Sequence, residues 1–362
     1  MMPRITVRGV QDGVSSYSFH VANILKGLQV TGWDPSLLAR EYDPRSPCVP
    51  DYIKESIVHR PQQEPFELLV ESPGFKPTPT KRAGYITMFE TTRIPDDNLE
   101  NLNQMEFVIV PSAWNLSTFS AQGVTVPIYV VPMGIHPTEF PWSPLPKTKK
   151  TVFTCAGCKH GYWKGRGEFF SKDDRKNFGA VVEAFNLAFN DSDDVELRVK
   201  MYPGQHTEGF ESSDSRIKIF QEFWSQEQIR DFYVDSHAFV SGTRGEGWGL
   251  MQHEAMACGR IAIAANFAGM TEFYDDAVGL PVRWDPVPAS GYYEGRGIWA
   301  EPDVDDMAEQ MLAVHRDWDG QNRPGMEKLG MAASLRANEY TWQAAWQDID
   351  IILRDHGFDR GQ

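Results

Sequence analysis

The stretch "RGEGWGLMQHEAMACG", Arg244 to Gly259, holds two glutamates, Glu246 and Glu254, eight positions apart. The first sits in a glycine-rich loop after the apolar run "HAFVSG"; the second sits in an apolar, helix-forming run. A carboxylate placed among Leu250, Met251, Ala255, Ala257 and Cys258 is at least half buried, and without donors it pays a heavy desolvation cost or keeps its proton. Paired sugar hydroxyls suit it, because an ionised carboxylate offers two acceptor oxygens. A loop cap, or an ion pair with Arg244 or Arg260, would satisfy Glu254 equally well. Gly247 and Gly249 let the backbone approach a ligand. The free N–H groups at the helix start favour negative charge or hydroxyl oxygens. Side chains on a helix lean toward its N-terminus, so Glu254 points back toward the loop that holds Glu246.

Strands alternating with helices must position these groups. "PRITVRGV" reads as a strand and the following "VSSYSFHVANILKGLQVTG" as an amphipathic helix with Ser15 or Ser16 as N-cap and Gly32 as stop. "FELLVES", "GYITMFE", "FVIVPS" and "VPIYVVP" read as further strands, with helices at "PDDNLENLNQ" and "AWNLSTFSAQG". "VPMGIHPTEFPWSPLPKTKK" carries five prolines and reads as a linker. A second series follows: strand "TVFTCAG", helix "FGAVVEAFNLAFN", strands "VELRVKMY" and "RIKIFQE", helix "SQEQIRDFYVDS" and strand "HAFVSG". The Glu254 helix, capped by Gly259, comes next, then strand "IAIAAN" and late helices from about Asp303. This predicts an α/β chain of two parallel-sheet, Rossmann-like domains facing a cleft, with the ligand at the carboxyl ends of the strands. The expected division is 1–140, a linker at 141–150, 151–340, and a C-terminal helix at about 341–362 that completes the first domain.

At 362 residues, with 41% hydrophobic and 23% charged residues, the chain is globular and long enough for two cores. No apolar run reaches membrane-spanning length, the N-terminus lacks a signal-peptide core, and four cysteines make no disulfide framework, so a cytoplasmic location is expected. The net charge of −15 disfavours nucleic acid and anionic membrane as partners. The basic segment "CKHGYWKGRGEFFSKDDRKN" points to a small anionic ligand instead.

"GEGWGLMQHEAMACGRIAIAANFAGMTEF" resembles the signature of retaining glycosyltransferases of the family 4 type, which have the GT-B fold: Glu, seven residues, Glu, a small-residue helix, a strand and a Gly-containing turn. "DGVSSY", "VPMGIH", "DRKNFGAVVEAF", "EPDVDDMAEQM" and "YTWQAAW" resemble other elements of that family, most closely between about Asp174 and Glu309 and least over residues 33 to 83. The resemblance implies a nucleotide-sugar held by the C-terminal domain. Glu246 would lie at the transferred sugar's hydroxyls, beside the backbone amides of Gly247, Trp248, Gly249 and Leu250. Glu254 would bind the ribose, and Lys176, with Arg175 adjacent, the diphosphate. Gly13 would approach the phosphates, and Glu222 and Phe223 would lie near the base. No metal and no other cofactor is expected; the nucleotide-sugar is a substrate.

The chain departs from the family in three places, one of them the first loop, which has one glycine where relatives often have two. The usual arginine before the lysine is replaced by an expanded segment in which Arg166, then Lys164 or Lys159, could serve. The usual N-terminal-domain histidine is absent; at the comparable "MFETTR", Glu90, Thr91 or Arg93 would line the acceptor side. Cys155-x-x-Cys158 with His160 reads as buried strand cysteine rather than a metal site. His253 reads as packing or surface, "KTKK" as solvated linker, and "ESPGFKPTPTKRAG" as an acceptor loop ahead of a mere connection. Of Phe223 and Trp224, one could stack on the base; that both are core aromatics is an equal reading. The expected activity is transfer of a hexosyl group from a UDP- or GDP-sugar to a hydroxyl of a glycan or small molecule. The alternatives are action on modified nucleic acid, or nucleotide-sugar binding without turnover.

Overall fold

The computed structural model describes residues 2–12, 15–42, 49, 51–58, 65–79, 81–157, 174–201, 214–319 and 323–360. The chain forms two units, one comprising residues 1–89, 93–134 and 340–362 and the other residues 90–92 and 135–339.

The first unit contains β1 (Arg4–Val10), α1 (Ser16–Val30), β2 (Asp34–Arg40), α2 (Asp51–Ser56), β3 (Phe66–Val70), β4 (Arg82–Ile86), α3 (Asp96–Leu102), β5 (Phe107–Val110), α4 (Ala113–Ala121) and β6 (Ile128–Val130). Its strands form one parallel sheet in the order β2-β1-β3-β4-β5-β6. Ser15 caps α1 by accepting from the Ser18 amide at 3.1 Å, and Gly32, at φ +90°, lets the chain turn out of it. β2 was not legible in the sequence. "DPSLLAR" opens on two residues that disfavour strands, and it is held extended by parallel pairing with β1 along its whole length and by complete burial of Leu37.

The second unit contains β7 (Thr151–Gly157), α5 (Phe178–Ala188), β8 (Val195–Met201), β9 (Ile217–Phe220), α6 (Gln226–Val234), β10 (Ala238–Ser241), α7 (Leu250–Ala257), β11 (Ile261–Ala265), β12 (Leu280–Val282), β13 (Trp284–Pro288), β14 (Ile298–Pro302), α8 (Val304–Asp319) and α9 (Arg323–Ala337). Its parallel sheet runs β12-β11-β10-β7-β8-β9, the strand order of a dinucleotide-binding sheet. Phe153, Val181, Phe185, Val240, Ile263 and Met307 are among the residues that fill its core. β13 and β14 pair antiparallel as a separate ribbon, which was also not foreseen: Pro286 and Pro288 break the strand pattern of the sequence.

The last helix, α10 (Trp342–Asp355), belongs to the first unit. Its buried stripe of Trp342, Ala345, Trp346, Ile349 and Leu353 explains why it docks. The Trp346 ring fills the space beside Gly27 of α1, where a Cβ would come within 2.2 Å of it. Trp33 donates to Asp350 at 2.6 Å. Two parallel-sheet α/β units therefore stand as the sequence predicted. Among the described residues, no helix is long and apolar enough to cross a membrane.

Candidate active site

In the second sheet the chain leaves β7 on one side and returns to β10 on the other. The carboxyl ends of these adjacent strands mark the point where the strand order reverses, and ligands bind at such points. The residues 174–177 and 242–249 lie there. The two loops cross in direct contact: a Cβ on Gly242 would lie 2.3 Å from the Asn177 carbonyl oxygen, and the Arg244 amide donates to the Arg175 carbonyl at 2.8 Å. Glycine at 242 thus permits the crossing.

Glu246 is buried at this crossing. Lys176 Nζ lies 2.5 Å from its Oε1 and Arg175 Nη1 lies 2.9 Å from its Oε2, while the Thr243 hydroxyl donates to Oε1 at 2.8 Å. Burial pushes the carboxyl pKa up, but the charges and hydrogen bonds of Lys176 and Arg175 together outweigh it and hold the group at about 2. Arg175 also donates to the Gly245 carbonyl and lies 3.8 Å from Glu90. Three of the residues expected to do chemistry, Glu246, Lys176 and Arg175, are thereby brought into one ion cluster.

Glu254 lies on α7, whose N-cap is Gly249 at φ +100°. It is buried, and the sequence left a pairing with Arg244 or Arg260 open. The structure gives it neither. Arg244 pairs with Glu301, and Arg260 donates to the carbonyls of Val234, Ser236, Ser143, Pro144 and Cys258. The hydrogen-bond partner of Glu254 is the Tyr233 hydroxyl, at 3.1 Å from Oε2. Burial raises its pKa to about 8, against the Tyr233 hydrogen bond, which lowers it. Among the described residues, Tyr233 is its one hydrogen-bond donor.

His253 is fully buried. Trp248 Nε1 donates to its Nδ1 at 3.2 Å, so the proton sits on Nε2 and meets the Ala337 carbonyl at 2.9 Å. Burial lowers its pKa to about 4, and it stays neutral. Trp248 itself is buried against Phe273, so only its backbone remains to meet a ligand.

The turn after β11 buttresses the Glu246 loop. Gly269 donates to the Glu246 carbonyl at 2.9 Å, and a Cβ there would lie 2.0 Å from the Gly247 carbonyl oxygen. Its neighbour Ala268 is buried in the left-handed region at φ 60°. Gly269→Ala, backbone against backbone, is expected to cost about 3 kcal/mol. Ala268→Gly should change stability by about 0.5 kcal/mol or less, since relief of strain offsets added unfolded-state entropy. Urea unfolding checks both; equal midpoints for Gly269→Ala and wild type would refute the buttress.

Other expected site residues fall as follows. Glu90–Thr92 belong to the second unit. Glu90 accepts from the Tyr293 hydroxyl at 2.9 Å, Thr91 is fully buried, and Arg93 is exposed and paired with Asp96. Glu222 is exposed, and its carbonyl accepts from buried Lys200 at 2.8 Å. Phe223 is 46% exposed, whereas Trp224 packs on Phe220 and Phe232. The reading of both as core aromatics is thus corrected for Phe223. Cys155 is buried in β7. Gly13, Lys159, Lys164, Arg166, Cys158 and His160 lie outside the described residues. Among the described residues, no group of three or more His, Cys, Asp and Glu side chains could hold a metal ion. Sequence reasoning missed Thr243, Tyr233, Tyr293 and Glu301. The Gly-rich segment "SGYYEGRG" between two short apolar runs was the available signal for the ribbon that carries Tyr293 and Glu301.

A family model described as "Glycosyl transferases group 1" matches residues 167–317. No curated protein matches the chain by sequence. Sucrose-phosphate synthase from Thermosynechococcus elongatus superposes with a TM-score of 0.68 at 14% identity, covering 98% of this chain and 99% of that one. HepE from Anabaena, solved with UDP and glucose, gives 0.64 at 11% identity, covering 98% and 100%. TarM from S. aureus, solved with UDP, gives 0.53 at 15% identity, covering 79% of this chain and 55% of that one. The two parallel sheets have the GT-B fold of these structures.

Proposed function

We propose that the protein is a retaining glycosyltransferase that moves a hexosyl group from a UDP- or GDP-sugar to an acceptor hydroxyl. The observation that carries this reading is the pair of buried carboxyls at the strand-order reversal: Glu246, compensated by Lys176 and Arg175, and Glu254, with the Tyr233 hydroxyl as its one hydrogen-bond partner among the described residues. The family match over residues 167–317 supports it, as does the likeness to HepE, solved with UDP and glucose.

In this reading Glu254 accepts from the ribose hydroxyls and the amides at the start of α7 face the diphosphate. Lys176 and Arg175 stabilise the charge that grows on the diphosphate as the bond from the sugar's anomeric carbon to the phosphate oxygen breaks. Glu246 orients the sugar hydroxyls rather than forming a bond. The acceptor oxygen bonds to the anomeric carbon on the face the diphosphate leaves, and the acceptor's proton passes to the departing phosphate. The reaction takes no other co-reactant.

A screen of nucleotide-sugars should find one or a few from which UDP or GDP is released, faster with the right acceptor, giving a product of unchanged anomeric configuration by NMR. Release from none of them would refute the reading, and an inverted product would refute the retaining part.

A further inference from the structure

The ribbon of β13 and β14 stands outside the six-stranded sheet, yet it is bonded to the two loops that carry the site. The Ala300 amide donates to the Arg244 carbonyl at 2.9 Å. Glu301 pairs with the Arg244 guanidinium and accepts from Asn177 Nδ2 at 3.1 Å. A Cβ on Gly245 would lie 3.5 Å from the Trp299 ring. Between the two strands, Tyr293 is buried, its ring centroid 5.3 Å from that of Trp299 and 6.0 Å from the Arg175 guanidinium.

Arg175 thus faces two carboxylates. Glu246 lies 2.9 Å from Nη1; Glu90 lies 3.8 Å from Nη2, beyond hydrogen-bond reach. The Tyr293 hydroxyl, at 2.9 Å from the other Glu90 oxygen, holds that carboxylate back. We infer that Tyr293 is a positioning residue: by restraining Glu90 it keeps Arg175 on the Glu246 side, where its charge serves the leaving group. Without the hydroxyl, Glu90 closes on Arg175 and draws the guanidinium away. The donor stays held by Lys176 and Glu254, so turnover suffers and donor affinity does not.

This rests on the glycosyltransferase reading, and the experiment separates the two. With a donor that wild-type protein turns over, Tyr293→Phe should lower kcat about tenfold, the worth of one hydrogen bond to a charged group. The donor KM and the thermal midpoint should stay at wild-type values. Adding Glu90→Gln to Tyr293→Phe should restore most of the lost turnover, because a neutral amide exerts no pull on the guanidinium; a merely structural loss would not be rescued. Wild-type kcat in Tyr293→Phe, a kcat loss that follows a fallen midpoint, or a double variant no better than the single one would overturn the inference while leaving the activity intact. Absence of turnover by wild-type protein with every nucleotide-sugar would refute the glycosyltransferase reading and this inference with it.

Discussion

Glu246→Gln should lower turnover about a hundredfold while leaving donor affinity within about threefold of wild type, because the interactions lost orient the reacting sugar rather than anchor the nucleotide. The same change should destabilise the fold. Arg175 is buried and Lys176 half-buried against this carboxylate, and removing one member of a buried charge cluster typically costs about 3–5 kcal/mol. The pH dependence gives an independent check. The folded carboxyl titrates at about 2, below its ordinary 4.5. The stabilisation is therefore present above about pH 4.5 and is lost as pH falls toward 2, amounting to about 3 kcal/mol at its fullest. Glu246→Gln should lose that acid-side slope in urea-unfolding free energies measured between pH 2 and 5. An unchanged slope would mean that the ion cluster contributes nothing to stability.

Glu254 should behave in the opposite sense. Its folded pKa, raised to about 8, lies above the ordinary 4.5, so its contribution to stability is full below about pH 4.5 and is lost as pH rises toward 8. The slope is at most about 1.4 kcal/mol per pH unit. Glu254→Gln should flatten it and be the more stable protein at pH 8. Function runs the other way. Ribose hydroxyls donate to an ionised carboxylate, so nucleotide binding at pH 7 should release a proton, and affinity should rise with pH up to about 8. Glu254→Ala should weaken nucleotide binding by about tenfold or more and abolish the proton release, a larger loss of affinity than Glu246→Ala produces. Calorimetry in buffers of different ionisation enthalpy measures both quantities. Wild-type affinity in Glu254→Ala would end the ribose assignment.

Sequence periodicity was enough for the two α/β units, because a buried parallel strand such as "FVIV" and an amphipathic helix such as α10 carry their burial pattern in their own residues. It failed at β2 and at the β13–β14 ribbon, where pairing with a partner strand overrides Asp, Pro and Gly that locally argue against a strand.

The candidate site divides along the same line. The burial of Glu246 comes from the crossing of two loops, whereas that of Glu254 followed from the apolar residues around it, a local property of the chain. What compensates each of them did not. Arg175 and Lys176 reach Glu246 from some 70 positions away because β7 and β10 are neighbours in the sheet. Tyr233 reaches Glu254 from α6, and Glu90 and Tyr293, 203 positions apart, meet at Arg175. Of the two carboxyls, the sequence by itself determined that Glu254 would be stripped of water. Only the tertiary structure decided that one is ionised at about pH 2 and the other holds its proton to about pH 8, because a pKa is set by charges and donors that strand order, not chain order, brings near.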